Sequence, residues 1–253
     1  MSNPILQLTQ LNKRFGATHA VSDLNLDAHA GEIFGLLGPN GAGKTTTFKM
    51  IVGLLQPGSG QVKIGGFDIQ TQSLEAKRLL GFVPDTPLLY EKLTATEFLH
   101  FVADLYGVGQ ERAARRAAEL LRLFDLGDNA GDLIDSFSHG MKQKTALAAA
   151  LIHDPALLIL DEPTAGLDPK SARLIKNILR QLTGRGVTVI LSTHILEIAE
   201  RLCDRIGIIS QGKLIAVGTM DELRGGDEED SLEDIFLELT GGAEYAKIAE
   251  VLG

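Results

Sequence analysis

Residues Gly38-Pro39-Asn40-Gly41-Ala42-Gly43-Lys44-Thr45 form a glycine-rich octapeptide that follows the strand-like run 32–37 and opens a segment of helical composition. Strand, glycine-rich turn and helix in that order make a phosphate-binding loop, which commits the chain to an α/β architecture. The residue types follow from the chemistry. Glycines let successive backbone N–H groups turn inward around an anion, and the helix that follows adds its positive N-terminal end. In such a loop Lys44 is expected to reach the β- and γ-phosphates of a nucleotide and the Thr45 hydroxyl to ligate Mg²⁺, with Thr46 placed to donate to another phosphate oxygen.

Patterning on either side agrees with that class. Strands are expected at 5–11, 20–26 and 32–37, broken by turns at 13–16 and 29–31, and a helix from 43 to about 54. Segments 61–64 and 67–69 flank Gly65-Gly66 as a hairpin. Between residues 84 and 155 the chain turns mostly helical, with apolar residues three and four apart in 94–106 and 111–124 and an Ala-rich run at 140–153. Strand–helix alternation then returns at 157–160 and 169–182, and again at 187–191 and 195–201. The segments 205–209 and 213–217 flank the turn Gln211-Gly212. Alternation of this kind predicts a mainly parallel sheet covered by helices.

Opposite the phosphate loop, Leu157-Leu158-Ile159-Leu160-Asp161-Glu162 is an apolar strand ending in two carboxylates. Asp161 is expected at the sheet edge, holding Mg²⁺. Strand alternation turns Glu162 the other way, free of the ion and able to take a proton from a water attacking the γ-phosphate. Ser192-Thr193-His194 ends the next strand, where His194 is placed to contact the γ-phosphate.

Charge and composition narrow the setting. Of a net charge of −9, the stretch 226–253 carries −8 (nine acidic residues and Lys247), so subtraction leaves about −1 for the rest. No basic footprint of a nucleic-acid binder is present, and no nucleic-acid partner is expected. The 253 residues are 44% hydrophobic and 23% charged, enough for a sizeable core. The longest apolar run, 146–152, is far below the roughly 20 residues a membrane-crossing helix needs. The opening Met-Ser-Asn-Pro has no signal-peptide character, and the lone Cys203 excludes an internal disulfide. A cytoplasmic location is expected. Within the acidic tail, 231–239 reads as an amphipathic helix with Leu232, Ile235, Phe236 and Leu239 on one face, packing either on the body or on a second copy.

Taken in order, the phosphate loop, Ser138-His139-Gly140-Met141-Lys142-Gln143, Leu160-Asp161-Glu162-Pro163, Gly166-Leu167-Asp168 and His194 make the chain similar to the ATP-binding subunit of ATP-binding cassette (ABC) transporters. The resemblance spans about 5–219, and the wording around Ser138 is most like bacterial export systems whose permease is a separate polypeptide. It implies a P-loop NTPase core (1–85 and 155–225) with an N-terminal antiparallel β region, an inserted α-helical subdomain (86–154) and an acidic helical tail (226–253). It also implies ATP and Mg²⁺ as cofactors, ATP hydrolysis coupled to transport, and a peripheral position at the cytoplasmic face of the cell membrane. The implied partners are an integral-membrane permease and a second copy of the chain in an ATP-sandwiched dimer.

By the same resemblance Phe15 stacks on the adenine. Ser138 and Gly140 bind the γ-phosphate of ATP held by the other protomer, and Asp168 lies in the loop linking the two sites. Asp168 before Pro169 is equally a standard helix start. The family's Leu-Ser-Gly-Gly-Gln signature is altered here: Phe137, His139 and Met141 replace Leu, Gly and Gln, and His139 loses backbone freedom if its φ is positive. Asp85 stands where the family commonly has Gln and is expected to offer Mg²⁺ a hard oxygen. The insertion around 86–106 is the implied docking surface, although Pro87, Leu88, Leu89 and Tyr90 serve equally well as core. The competing function is a soluble one-cassette ABC ATPase in a non-transport assembly process. A GTPase would need Asn-Lys-x-Asp, and Asn12-Lys13-Arg14-Phe15 is not that motif.

Overall fold

The computed structural model describes residues 4–225 and 230–241. Its first elements, β1 (Leu6–Phe15) and β2 (Thr18–Ala28), form an antiparallel hairpin closed at Gly16, whose φ is +57°. β1 runs on to Phe15 instead of breaking at Lys13. The β1–β2 register shifts between Leu8 and Leu11 and on either side of Lys13, so bulges absorb the polar residues without ending the strand.

β3 (Ile33–Leu37) delivers the chain to the glycine loop, and α1 (Lys44–Ile51) leaves it. β4 (Ser59–Ile64) pairs with β1 and turns at Gly65-Gly66 into the short β5 (Phe67–Asp68). Next come α2 (Ser73–Arg78) and β6 (Leu80–Val83), both too short to show a period in sequence. Three helices follow: α3 (Ala95–Leu105), started by a Thr94–Glu97 capping box; α4 (Gln110–Leu123); and α5 (His139–Leu151), capped by Ser138. β7 (Leu157–Asp161), α6 (Pro169–Thr183), β8 (Thr188–Ser192), α7 (Leu196–Leu202), β9 (Arg205–Ser210) and β10 (Lys213–Gly218) complete the alternation, with α8 (Met220–Arg224) and α9 (Leu232–Thr240) after it.

Two sheets result. The antiparallel sheet has the order β2-β1-β4-β5, and the larger one the order β10-β9-β3-β8-β7-β6, parallel throughout except at β10. Every residue of β3, β7 and β8 is buried, as a parallel sheet covered on both faces requires. Successive residues serve opposite faces. Leu158, Leu160, Val189 and Leu191 join the helices in one apolar cluster, while Leu157, Ile159 and Ile190 join α1 and the antiparallel sheet in another. The carboxyl ends of β3, β7 and β8 thereby emerge side by side.

The last helix among the described residues answers a question that composition left open. α9 packs on α7 and α8 of its own chain, with Leu232 fully buried and Ile235 nearly so, while Leu239 stays exposed. Residues 226–229 and 242–253, including most of the acidic run, lie outside the described residues. Among the described residues no helix is long and apolar enough to cross a membrane.

Candidate active site

Gly38 to Gly43 connect β3 to α1 through a turn in which Gly41 and Gly43 have φ of +79° and +112°. A Cβ on Gly38 would sit 2.2 Å from the Ile209 carbonyl oxygen, and one on Gly43 would sit 2.4 Å from that of Ala20. Steric exclusion, as much as turn geometry, thus demands glycine at both. No side chain caps α1, so its first N–H groups are left for an external acceptor. Lys44 is buried, and its Nζ donates to the carbonyls of Gly38 (2.5 Å) and Pro39 (3.2 Å). Burial lowers the Lys44 pKa, and the carboxylates of Glu162 and Asp161 oppose that shift.

Asp161 ends β7 almost fully buried. Its Oδ2 accepts from Thr45 Oγ1 at 3.1 Å and its Oδ1 from Ser192 Oγ at 2.5 Å. Strand alternation fails at the next residue. Glu162 has left the extended strand for a left-handed backbone, φ +50°, and so faces the same pocket as Asp161. Its Oε2 lies 2.9 Å from His194 Nδ1. The pocket measures about 250 Å³ and is lined by residues 40–46 with Ala20, Asp85, Asp161 and Glu162. Among the described residues no three acidic, His or Cys side chains form a ready-made metal cage. The donor set is one hydroxyl and a few carboxylate oxygens, which suits Mg²⁺ held jointly with phosphate oxygens.

Other expected site residues lie elsewhere. Phe15 is at the end of β1, half exposed, with Lys13 Nζ 5.5 Å from its ring centroid. Ser138 caps α5 by accepting the Met141 N–H, and Asp168 caps α6 by accepting that of Ser171 at 2.9 Å. The Ser171 hydrogen bonds hold the Asp168 carboxyl below its ordinary range. These two caps are neighbours: Gly140 faces Leu167 and Ser171, and His139 Nε2 lies 3.3 Å from the Ala165 carbonyl oxygen. His139 is the first residue of α5 and is absent from the positive-φ positions, so replacing glycine there strains nothing. None of Phe15, Ser138, Gly140, Asp168 or His194 lines the pocket. Leu88 and Tyr90 are 86% and 60% exposed, which removes them from the core; Leu89 is half-buried against it.

Two buried polar residues stand in the motifs quoted above without an assigned role. Gln143 donates to the Pro163 carbonyl, and Ser192 bridges Asp161, at the end of β7, and Glu162, just beyond it. A hydroxyl directly after the apolar run Val189–Leu191 was the available signal for the second.

A parallel sheet that presents a glycine loop, a buried Asp and an adjoining Glu at one edge defines a P-loop ATPase. The ABC transporter family model matches residues 21–165, more than half of the chain, and the protein belongs to that family. It is similar to the linearmycin resistance ATP-binding protein LnrL of Bacillus subtilis (strain 168), at 46% identity over 226 residues covering 88% of this chain and 73% of that protein. A solved ATP-binding subunit of an ABC transporter superimposes with a TM-score of 0.88 at 36% identity, over 93% of this chain and 99% of that one. The ATP-binding cassette MJ0796, solved as a dimer in a post-hydrolysis state bound to ADP and Pi, matches with a TM-score of 0.77 at 27% identity over 85% and 98%. The chain is therefore an ABC nucleotide-binding subunit that binds and hydrolyses ATP to power transport.

Proposed function

We propose that the chain drives export through a separate transmembrane permease, working as a pair of copies that close around ATP at the cytoplasmic face of the membrane. The supporting observation is that the expected site residues fall into two groups within one chain. The phosphate loop and its carboxylates line one pocket, while Ser138, Gly140 and Asp168 cluster apart from it around the N-termini of α5 and α6. A second copy brings the missing half to each pocket. The cassette occupies 1–225, with its helical part at 86–154 and the acidic tail at 226–253. The exposed Leu88 and Tyr90 on that helical part supply apolar surface for the permease.

Within the pocket the loop N–H groups and Lys44 bind the β- and γ-phosphates, and Thr46 donates to a further oxygen. Phe15 stacks on the adenine, and Ser138 and Gly140 reach the γ-phosphate from the other copy. Thr45, Asp161 and Asp85 would hold Mg²⁺, which would neutralise charge on the phosphates. Glu162 accepts the proton of the attacking water. His194 contacts the γ-phosphate, its Nδ1 lying 2.9 Å from Glu162 Oε2.

ATP turnover by the wild type and Glu162→Gln tests the site. A general base contributes about 10²–10⁴ in rate, so turnover is expected to fall by at least about a hundredfold with ATP binding retained. Turnover near wild type in that variant rejects the assignment. Pull-down from detergent-solubilised membranes tests the partner: a polytopic membrane protein is expected to copurify, and soluble partners alone would favour the assembly ATPase.

A further inference from the structure

Ser192 ends β8 directly opposite Asp161 on β7 and is fully buried. A serine hydroxyl offers one proton and two lone pairs. Both capacities are used on neighbouring residues of the hydrolytic site: Oγ donates to Asp161 Oδ1 at 2.5 Å and accepts the Glu162 backbone N–H at 3.1 Å.

Each bond fixes something the chemistry needs. With Oδ1 engaged, the Asp161 carboxylate has one orientation, and its other oxygen stays 3.1 Å from Thr45 Oγ1 on the pocket side. With its N–H engaged, Glu162 is held at φ +50°, a backbone region unfavourable to any residue with a Cβ. That turn carries the Glu162 carboxylate to His194 and into the pocket that strand alternation would deny it.

We propose that Ser192 is a positioning residue of the ATPase site, one buried hydroxyl that sets both the metal-facing oxygen of Asp161 and the backbone turn that aims Glu162. It touches neither nucleotide nor metal and acts through the two carboxylates. The inference rests on the roles assigned to Asp161 and Glu162 above. Removing the hydroxyl leaves Asp161 Oδ1 buried without its partner and frees Glu162 to relax toward ordinary strand geometry. A metal ligand deprived of such support typically loses about 10–100-fold in metal affinity or activity.

The test compares wild type with Ser192→Ala, Ser192→Thr and Glu162→Gln. Steady-state kinetics give kcat and KM for ATP; Mn²⁺ binding to the ADP-loaded protein is followed by electron paramagnetic resonance; ADP affinity is measured without metal. Ser192→Ala is expected to lower kcat by about 10–100-fold, with KM changed no more than about twofold, and to weaken Mn²⁺ binding by about tenfold. Ser192→Thr is expected to restore both, because it keeps the hydroxyl. Metal-free ADP affinity, assigned above to the phosphate loop and Phe15, is expected to match wild type in every variant. Wild-type kcat and Mn²⁺ affinity in Ser192→Ala, beside an inactive Glu162→Gln, would overturn the role of Ser192 alone. An active Glu162→Gln would instead remove the site assignment beneath it. Equal impairment of the Ala and Thr variants, or loss of metal-free ADP affinity in Ser192→Ala, would reduce Ser192 to a packing residue and overturn the proposal.

Discussion

Gly41 and Gly43 lie two residues apart in one loop, both with positive φ, yet alanine costs them differently. At Gly41 nothing lies within 4 Å of a Cβ, so Gly41→Ala meets only the left-handed backbone penalty, about 1–2 kcal/mol. At Gly43 the same penalty applies and the Cβ also strikes the Ala20 carbonyl oxygen, a backbone atom that cannot swing aside. Overpacking of that kind adds roughly 1–3 kcal/mol. Urea denaturation is expected to place Gly43→Ala well below Gly41→Ala in stability; equal midpoints would mean that the close approach to β2 is not limiting. The loop was legible in sequence because its chemistry is encoded in contiguous spacing. The direction of Glu162 and the bridge from Ser192 were not. One depends on a single backbone angle, the other on the register that sets Asp161 against Ser192, and neither leaves a local pattern.

Among the elements, α9 shows what periodicity can and cannot say. The spacing of Leu232, Ile235, Phe236 and Leu239 identified an apolar face, but the surface it covers depends on where α7 and α8 end up. Once docked, the face is unequal: Leu232 is fully buried and Leu239 is 41% exposed. Truncating a fully buried leucine typically costs about 2–5 kcal/mol, whereas exposed substitutions usually stay within about 0.5 kcal/mol. Leu232→Ala is therefore expected to accelerate amide hydrogen exchange across 232–240 strongly, and Leu239→Ala to leave it near wild type. Similar exchange in both variants would contradict the docking. The long helices and the apolar strands of the parallel sheet were readable by the same logic, since each repeats its pattern over several residues. α2 and β6, at six and four residues, are too short to repeat anything. The extension of β1 to Phe15 depends on bulges opposite β2, a tertiary adjustment that turn composition hides.

For the whole molecule the proposed function turns on one chain carrying two unlike halves of a site, since Lys44 lines the pocket and Ser138, Gly140 and Asp168 do not. Lys44 belongs to the pocket, Ser138 to the exposed N-terminus of α5. If catalysis assembles across two copies, lesions in different halves must complement. In a heterodimer of Lys44→Ala and Ser138→Arg chains, one pocket combines the intact loop of the second with the intact Ser138 of the first, while the other pocket combines both lesions. Random pairing of equal amounts makes half of the dimers mixed, each with one sound site of two, so the mixture is expected to recover about a quarter of wild-type turnover for independent sites. Each variant alone is expected to be nearly inactive. Native mass spectrometry establishes that mixed dimers form, and ATP turnover then decides. Recovery toward that level places the two halves of each working site on different chains. Mixed dimers without recovery would reject a pair of independent sites, each shared between the two chains.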